Sequence, residues 1–325
     1  MNALNTRFKI SKCDKSFMLG LTRTVEPSGA YVDIGMLGFI KRLYEEFEER
    51  CGKRIPTTPF PPGLFIQKAV IPDEAEGKAI IALDYQHGVG ALLWAARMCY
   101  PECMLGVSFL ARVMSCPTKE AYKGMLHMIA YLYGVRERGI RMSKQPGAQL
   151  LCYCDASNNP DRSDKCKAQG GYIVYLGDSP LVWGSRKVNH VGQSSSHNEF
   201  MQVCVAAKAT TWIRFLLTEV GFGRHCSEPT ILLNDNLAAV KLCRDDVLTP
   251  ANCYYEKDLF FAKEAFERYY ICPRWVAGDD NLADMFTKPV GSAIIERHLP
   301  FVTGHGRGEG ESHVGIPDPG PALPT

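Results

Sequence analysis

The chain has 325 residues with 37 Lys and Arg against 35 Asp and Glu, a formal net charge of +2. That length supports a full core and suggests two domains, while the near-neutral balance excludes a globally basic nucleic-acid binder and confines any such face to a local patch. No apolar run has the length of a membrane span and the first 23 residues lack a signal-type apolar stretch, so the thirteen cysteines read as reduced thiols of an intracellular protein, cytoplasmic or nuclear, with no membrane partner.

In chain order, Arg7 to Ile10 and Phe17 to Leu21 are short extended runs. Ser28-Gly29 marks a hairpin turn from which Tyr31 to Ile34 returns. Leu37, Ile40, Tyr44 and Phe47 then recur at helical spacing with charged residues between them. Pro56 to Gly63 reads as an irregular loop. Gly88 to Tyr100 and Pro101 to Ser115 read as helices. Pro117 opens a third, which runs through Tyr122, Met125, Ile129 and Tyr133. Ser143 to Gly147 is the expected linker.

Beyond it the pattern changes. Gln149 to Asp155 is an expected strand, followed by a polar loop through Asn158, Asn159 and Pro160. Gly171 to Leu176 and Leu181 to Ser185 form a hairpin. Ser196 to Val220 is a long helix with Phe200, Cys204, Ala207, Thr211 and Phe215 on one stripe. Thr230 to Asn234 is a strand, Leu237 to Cys243 a short helix, and Tyr255 to Tyr269 a further helix. Tyr270 to Val276 is the last strand, and Asn281 to Thr287 begins a final helix. Three early strands followed by strand–helix alternation give an α/β mixed sheet flanked by helices. Domains are expected at residues 1–145 and 146–300. Residues 301–325, rich in Gly and Pro, read as a disordered tail.

Four acids stand at element ends: Asp155, Glu199, Asp235 and Asp284. Each has a plain structural alternative. Asp155 could open an Asx turn. Glu199 could close a capping box with Ser196. Asp235 could cap a helix, and Asp284 could sit in a first turn for the dipole alone. Taken together they fit another role. Carboxylates gathered at one sheet edge need neutralising, and hard divalent cations do this well.

The residues around these acids carry a family resemblance. Gly171-Tyr172-Ile173-Val174-Tyr175, Val182-Trp183-Gly184-Ser185-Arg186-Lys187, Ser194-Ser195-Ser196 with Glu199-Phe200-Met201, Asp235-Asn236, and Leu282-Ala283-Asp284 with Phe286-Thr287-Lys288-Pro289 resemble the ribonuclease H domain of Ty1/copia-type retrotransposon Pol polyproteins. The match covers roughly Gln149 to Val290. Upstream, His87-Gly88-Val89-Gly90, Leu110-Ala111-Arg112 and Tyr131-Leu132-Tyr133-Gly134 resemble the end of the reverse transcriptase. The family palm is missing, and Tyr31-Val32-Asp33 with Ile34 reads as a chance likeness to a polymerase motif.

The resemblance implies a ribonuclease H-like mixed five-stranded sheet preceded by a smaller, mainly helical thumb or connection remnant. It implies a hydrolase, an endonuclease that cuts the RNA strand of RNA/DNA hybrids with two Mg²⁺ ions, or Mn²⁺, held by Asp155, Glu199, Asp235 and Asp284. Ser194, Ser195, Arg186, Lys187 and Lys288 become the substrate-binding residues. The missing palm or other Pol segments become partners, and no polymerase activity is expected. Tyr254 stands where the family has a histidine, and the loop Val276 to Asp280 lacks the mobile histidine of cellular relatives. His197 reads as a surface residue, and Trp183 and Trp212 as core. The alternative reading is an inactive or co-opted fragment that binds nucleic acid or serves as a scaffold.

Overall fold

The computed structural model describes residues 16–61, 64, 66, 71–161, 167–188, 194–244 and 256–306. The expected strand Arg7 to Ile10, Tyr254, and the tail beyond Gly306 lie outside the described residues.

Among the described residues the first half begins with three strands, β1 (Phe17–Met18), β2 (Leu21–Val25) and β3 (Tyr31–Gly35). A fourth strand, β4 (Gly139–Ser143), returns from beyond the helices and pairs antiparallel with β3, giving the order β1-β2-β3-β4. Sequence reading missed β4. Its register is locked by Arg141, which grips Asp33 with Nε at 2.7 Å and its second nitrogen at 2.9 Å. Asp33 thus has a structural task, which fits the chance reading of Tyr31-Val32-Asp33.

Among the described residues, five α-helices lie between β3 and β4: α1 (Leu37–Cys51), α2 (Glu74–Ile81), α3 (Tyr85–Met98), α4 (Met104–Arg112) and α5 (Lys119–Gly134). On α1, Ile40, Leu43, Tyr44 and Phe47 are buried, as the helical period requires. Pro117 precedes α5 rather than opening it. The helix is capped by Thr118, whose hydroxyl accepts from the Ala121 N–H at 3.2 Å. The short polar helix α2 carries too weak a period to have been read.

The second half is built on β5 (Leu150–Asp161), β6 (Lys167–Leu176), β7 (Ser179–Lys187), β8 (Thr230–Asn234) and β9 (Ile271–Trp275). The order is β7-β6-β5-β8-β9. The β5–β6 and β6–β7 pairs are antiparallel, and β5–β8 and β8–β9 are parallel. This is the mixed five-stranded sheet flanked by helices that the sequence pattern leads one to expect. Among the described residues three α-helices follow within it, α6 (Ser195–Glu219), α7 (Leu237–Arg244) and α8 (Glu256–Glu267), and α9 (Ser292–Val302) closes the described chain.

Side-chain alternation along β5 divides the core. Leu150, Cys152 and Cys154 face α6 and its neighbours, where Phe200, Val203, Cys204 and Ala207 are buried. Leu151 and Tyr153 face the other way, into a cluster that continues through Trp183 and Phe286 to Leu92, Val107 and Leu110 of the first half. The helices of the first half therefore cover one face of the second-half sheet. Trp183 Nε1 donates to the Ala96 carbonyl at 2.8 Å across this contact, and Gln169 Nε2 donates to Ser108 at 3.1 Å. One apolar cluster runs across the expected boundary near residue 145.

Several expectations change. β5 runs past Asp155 to Asp161, with a register shift between Ser157 and Asp161, so Asn158-Asn159-Pro160 is strand rather than loop. Asn281 to Thr287 forms a short 3₁₀ turn, Leu282–Phe286, and the last helix among the described residues is α9. That helix reaches Val302, which is fully buried, and the Thr303 carbonyl accepts from the Arg141 N–H at 2.8 Å. Residues 301–303 therefore belong to the fold and not to a tail. Among the described residues, α6 is long and apolar enough to cross a membrane by length and composition, but most of its apolar surface packs inside the protein. Trp212, expected in the core, is 59% exposed, whereas His197, expected at the surface, is buried.

Candidate metal centre

Asp155 lies midway along β5, opposite Gly171 of β6, which is itself opposite Ser185 of β7. The 3₁₀ turn Leu282–Phe286 crosses this row. Ser185 Oγ donates to the Phe286 carbonyl at 2.5 Å, and the Thr287 hydroxyl donates to Asp155 Oδ2. The crossing is too close for a side chain at residue 171. A Cβ there would stand 2.5 Å from Phe286 Cβ and 2.9 Å from Thr287 Cγ2. Gly171 thus lets the turn that carries Asp284 settle beside Asp155.

Glu199 comes from the other layer. The N-cap of α6 is Ser194, whose hydroxyl accepts from the His197 N–H at 3.1 Å. This places Glu199 beyond the capping position and removes the capping-box reading with Ser196. Its Oε2 instead accepts from the Ala156 N–H at 2.9 Å and from Asn234 Nδ2 at 3.1 Å. Asp235 follows the end of β8. It is not the helix cap either, because Asn236 Oδ1 accepts from the Ala239 N–H at 3.0 Å. Asp284 stands in the first turn after its own cap, Asn281, whose side chain accepts from the Ala283 N–H at 3.1 Å and donates to the Cys154 carbonyl at 3.1 Å.

The result is a convergence of acids. One carboxylate oxygen each from Asp155, Glu199 and Asp235 lies within 4.8 Å of the others. Asp284 stands outside that tight group but shares its field, for its charge helps to raise the Asp155 carboxyl. Asp155 is 1% exposed, and among the described residues its Oδ1 has no hydrogen-bond donor, nor does the buried Oδ1 of Asp235. A buried carboxylate oxygen with no donor is costly unless something else satisfies it.

The electrostatics agree. Burial, then the charge of Asp284, raises Asp155 to about 6 despite the nearby Lys288. Burial, then the charge of Asp155, pushes Glu199 up to about 9. Asp235 and Asp284 are raised as well, burial again being the main cause. Carboxyls strained in this way form a fitting donor set for hard divalent ions, which would reverse the strain.

Of the expected substrate-binding residues, Ser194 and Ser195 are exposed at the start of α6, and Arg186 is exposed near the end of β7, one residue past Ser185. Lys187 is half-buried. Lys288 stands beside the acids, with Nζ 2.9 Å from Asp284 Oδ1 and 3.7 Å from Asp155 Oδ2. Sequence reading missed Asn234, Asn281 and Thr287, which hold the acids. The only signal for them was adjacency to Asp235 and Asp284.

No family model matches the chain. The Retrovirus-related Pol polyprotein from transposon RE2 of Arabidopsis thaliana is 28% identical over 299 residues, 91% of this chain and 20% of that protein. The corresponding RE1 polyprotein of the same plant is 31% identical over 213 residues, 66% of this chain and 14% of that protein. That from transposon TNT 1-94 of Nicotiana tabacum is 23% identical over 274 residues, 84% of this chain and 20% of that protein. The chain thus spans about a fifth or less of the length of these relatives. Among solved structures, ribonuclease H1 of Halobacterium salinarum is 17% identical, with 43% of this chain and 94% of that one covered at a TM-score of 0.32. The foamy viral protease-reverse transcriptase in complex with an RNA/DNA hybrid is 10% identical, with 80% of this chain and 29% of that one covered at a TM-score of 0.43.

Proposed function

We propose, from the premise that this chain is homologous over most of its length to the Pol polyproteins of copia-type retrotransposons, that it is a ribonuclease H-type endonuclease acting on the RNA strand of RNA/DNA hybrids. The observation that carries the reading is the convergence of Asp155, Glu199 and Asp235 with a buried oxygen on Asp155 that meets no donor among the described residues. A purely structural acid cluster would be expected to satisfy that oxygen from the protein.

Two Mg²⁺ ions would be held by the acids, Asp155 serving both, Asp284 on one side and Glu199 with Asp235 on the other. Bound there, they would lower the pKa of a water and stabilise charge on the departing oxygen. The protein's own groups supply position. The Thr287 hydroxyl fixes Asp155, and the Asn234 amide fixes Glu199. Ser194 and Ser195 offer hydroxyls and the N-terminal amides of α6 to a phosphate, and Arg186 and Lys187 offer charge near it. Hydrolysis breaks the bond from phosphorus to the 3′ oxygen, leaving a 5′-phosphate and a 3′-hydroxyl. Recognition would rest on groove shape and 2′-hydroxyls, with little base reading. Other Pol segments, the palm included, are the proposed protein partners.

The test is cleavage of an RNA/DNA hybrid by the full chain in Mg²⁺, beside Asp155→Asn. A loss of more than about a hundredfold in the variant supports the reading. Equal signals from the two proteins reject it and favour the nucleic-acid-binding scaffold.

A further inference from the structure

Lys288 stands inside the acidic pocket. Its Nζ contacts Asp284 at 2.9 Å and lies 3.7 Å from Asp155 Oδ2, the oxygen that also receives the Thr287 hydroxyl. Its backbone is fixed, because its N–H donates to the Asp284 carbonyl at 3.0 Å and Pro289 follows. Only the four-carbon arm is free to move. That arm is 43% exposed while the Asp155 side chain is 1% exposed. The lysine therefore enters from solvent onto acids that cannot leave.

An ammonium in contact with Asp284 and close to Asp155 occupies the place a divalent ion would take between them. Asp235 feels the same lysine only through space. We propose that Lys288 is the resident counter-cation of the Asp155–Asp284 side, that it competes with a divalent ion there, and that the pocket consequently fills first at Glu199 and Asp235. This deepens the proposed function and rests on its metal reading. Lys288 is then a positioning and regulatory residue that holds the ion-free pocket together and sets the ion concentration at which the second position fills. A lysine suits this exchange because its ammonium is a compact point charge on a flexible stem, with no bidentate grip on a carboxylate.

The test is Mn²⁺ binding to the full chain, counted by the electron paramagnetic resonance signal of the free ion. It needs no substrate and no turnover. Wild type is expected to show a tighter and a weaker class of site. Lys288→Met and Lys288→Gln are expected to strengthen the weaker class about tenfold, as removal of one positive charge from a partly screened site should. Lys288→Arg keeps the charge and is expected to stay near wild type. Unchanged or weaker binding in both neutral variants, or equal tightening in the arginine variant, overturns the proposal while leaving the metal reading in place. Absence of Mn²⁺ binding from all four proteins overturns both.

Discussion

Asn234 donates a hydrogen bond from Nδ2 to Oε2 of Glu199 at 3.1 Å, and it does so from full burial. The same nitrogen donates to the Cys154 carbonyl at 3.0 Å, and Asn234 Oδ1 accepts from the Asn236 N–H at 2.9 Å. One amide thereby ties the end of β8 to β5, to α6 and to the turn that carries Asp235.

Replacing it removes all three ties. Asn234→Ala is expected to cost about 2–4 kcal/mol of stability, read from urea unfolding at neutral pH. It should also weaken divalent-ion binding about 10–100-fold, as loss of a group that orients a ligand does. A stable variant with unchanged ion affinity would show that Glu199 is oriented by other means.

Gly171 is a second lever, and it bears no functional group. Gly171→Ala places a methyl where Phe286 and Thr287 pass, so the turn must retreat and carry Asp284 and the Thr287 hydroxyl away from Asp155. The expected outcome is a folded protein, by circular dichroism, whose Mn²⁺ affinity falls about tenfold or more. Wild-type affinity in this variant would mean that the turn is free to shift without moving the acids.

Metal-free stability should depend on pH in an inverted way. The carboxyls of Asp155 and Glu199 sit above their ordinary values, at about 6 and about 9. Between the unfolded and folded values the folded chain holds more protons, so stability falls as pH rises. In chelator the melting temperature is expected to drop from pH 5 to pH 9, and Mg²⁺ is expected to restore it most at the upper end. A melting temperature that climbs through this range in chelator contradicts the crowding of the four acids.

The same crowding fixes the sign of one substitution. Asp155→Asn removes a buried negative charge while leaving an oxygen for the Thr287 hydroxyl. In chelator at pH 8 it is expected to stabilise the protein by about 1–3 kcal/mol, measured by denaturant unfolding, although it should abolish hydrolysis. Destabilisation of that size would show that Asp155 serves the fold instead.

Three of the four acids were legible because they stand where apolar patterning ends: Asp155 after Leu150 to Cys154, Asp235 after Thr230 to Asn234, Asp284 ahead of a Thr-Lys-Pro stop. Each local alternative was also plausible, and two fell for one reason. A neighbour took the cap, Ser194 in place of Ser196 and Asn236 in place of Asp235, whereas Asp284 does stand in the first turn, behind Asn281. Caps are settled by a residue or two of register, which pattern alone does not fix. β4 was hidden because its partner β3 lies some hundred positions earlier and its pairing leaves no local mark. α9 was hidden by Pro300, a helix breaker in sequence that sits here in the final turn. The contact of Lys288 with Asp284 was not legible, because a basic residue beside an acidic motif leaves no mark in sequence of which carboxylate it meets.

The most direct measurement is the anomalous scattering map of crystals of the full chain grown or soaked with Mn²⁺. A peak bounded by Asp155, Glu199 and Asp235, with a second beside Asp284 at higher ion concentration, is the expected result. A map with no peak among these carboxylates at saturating Mn²⁺ would contradict the account.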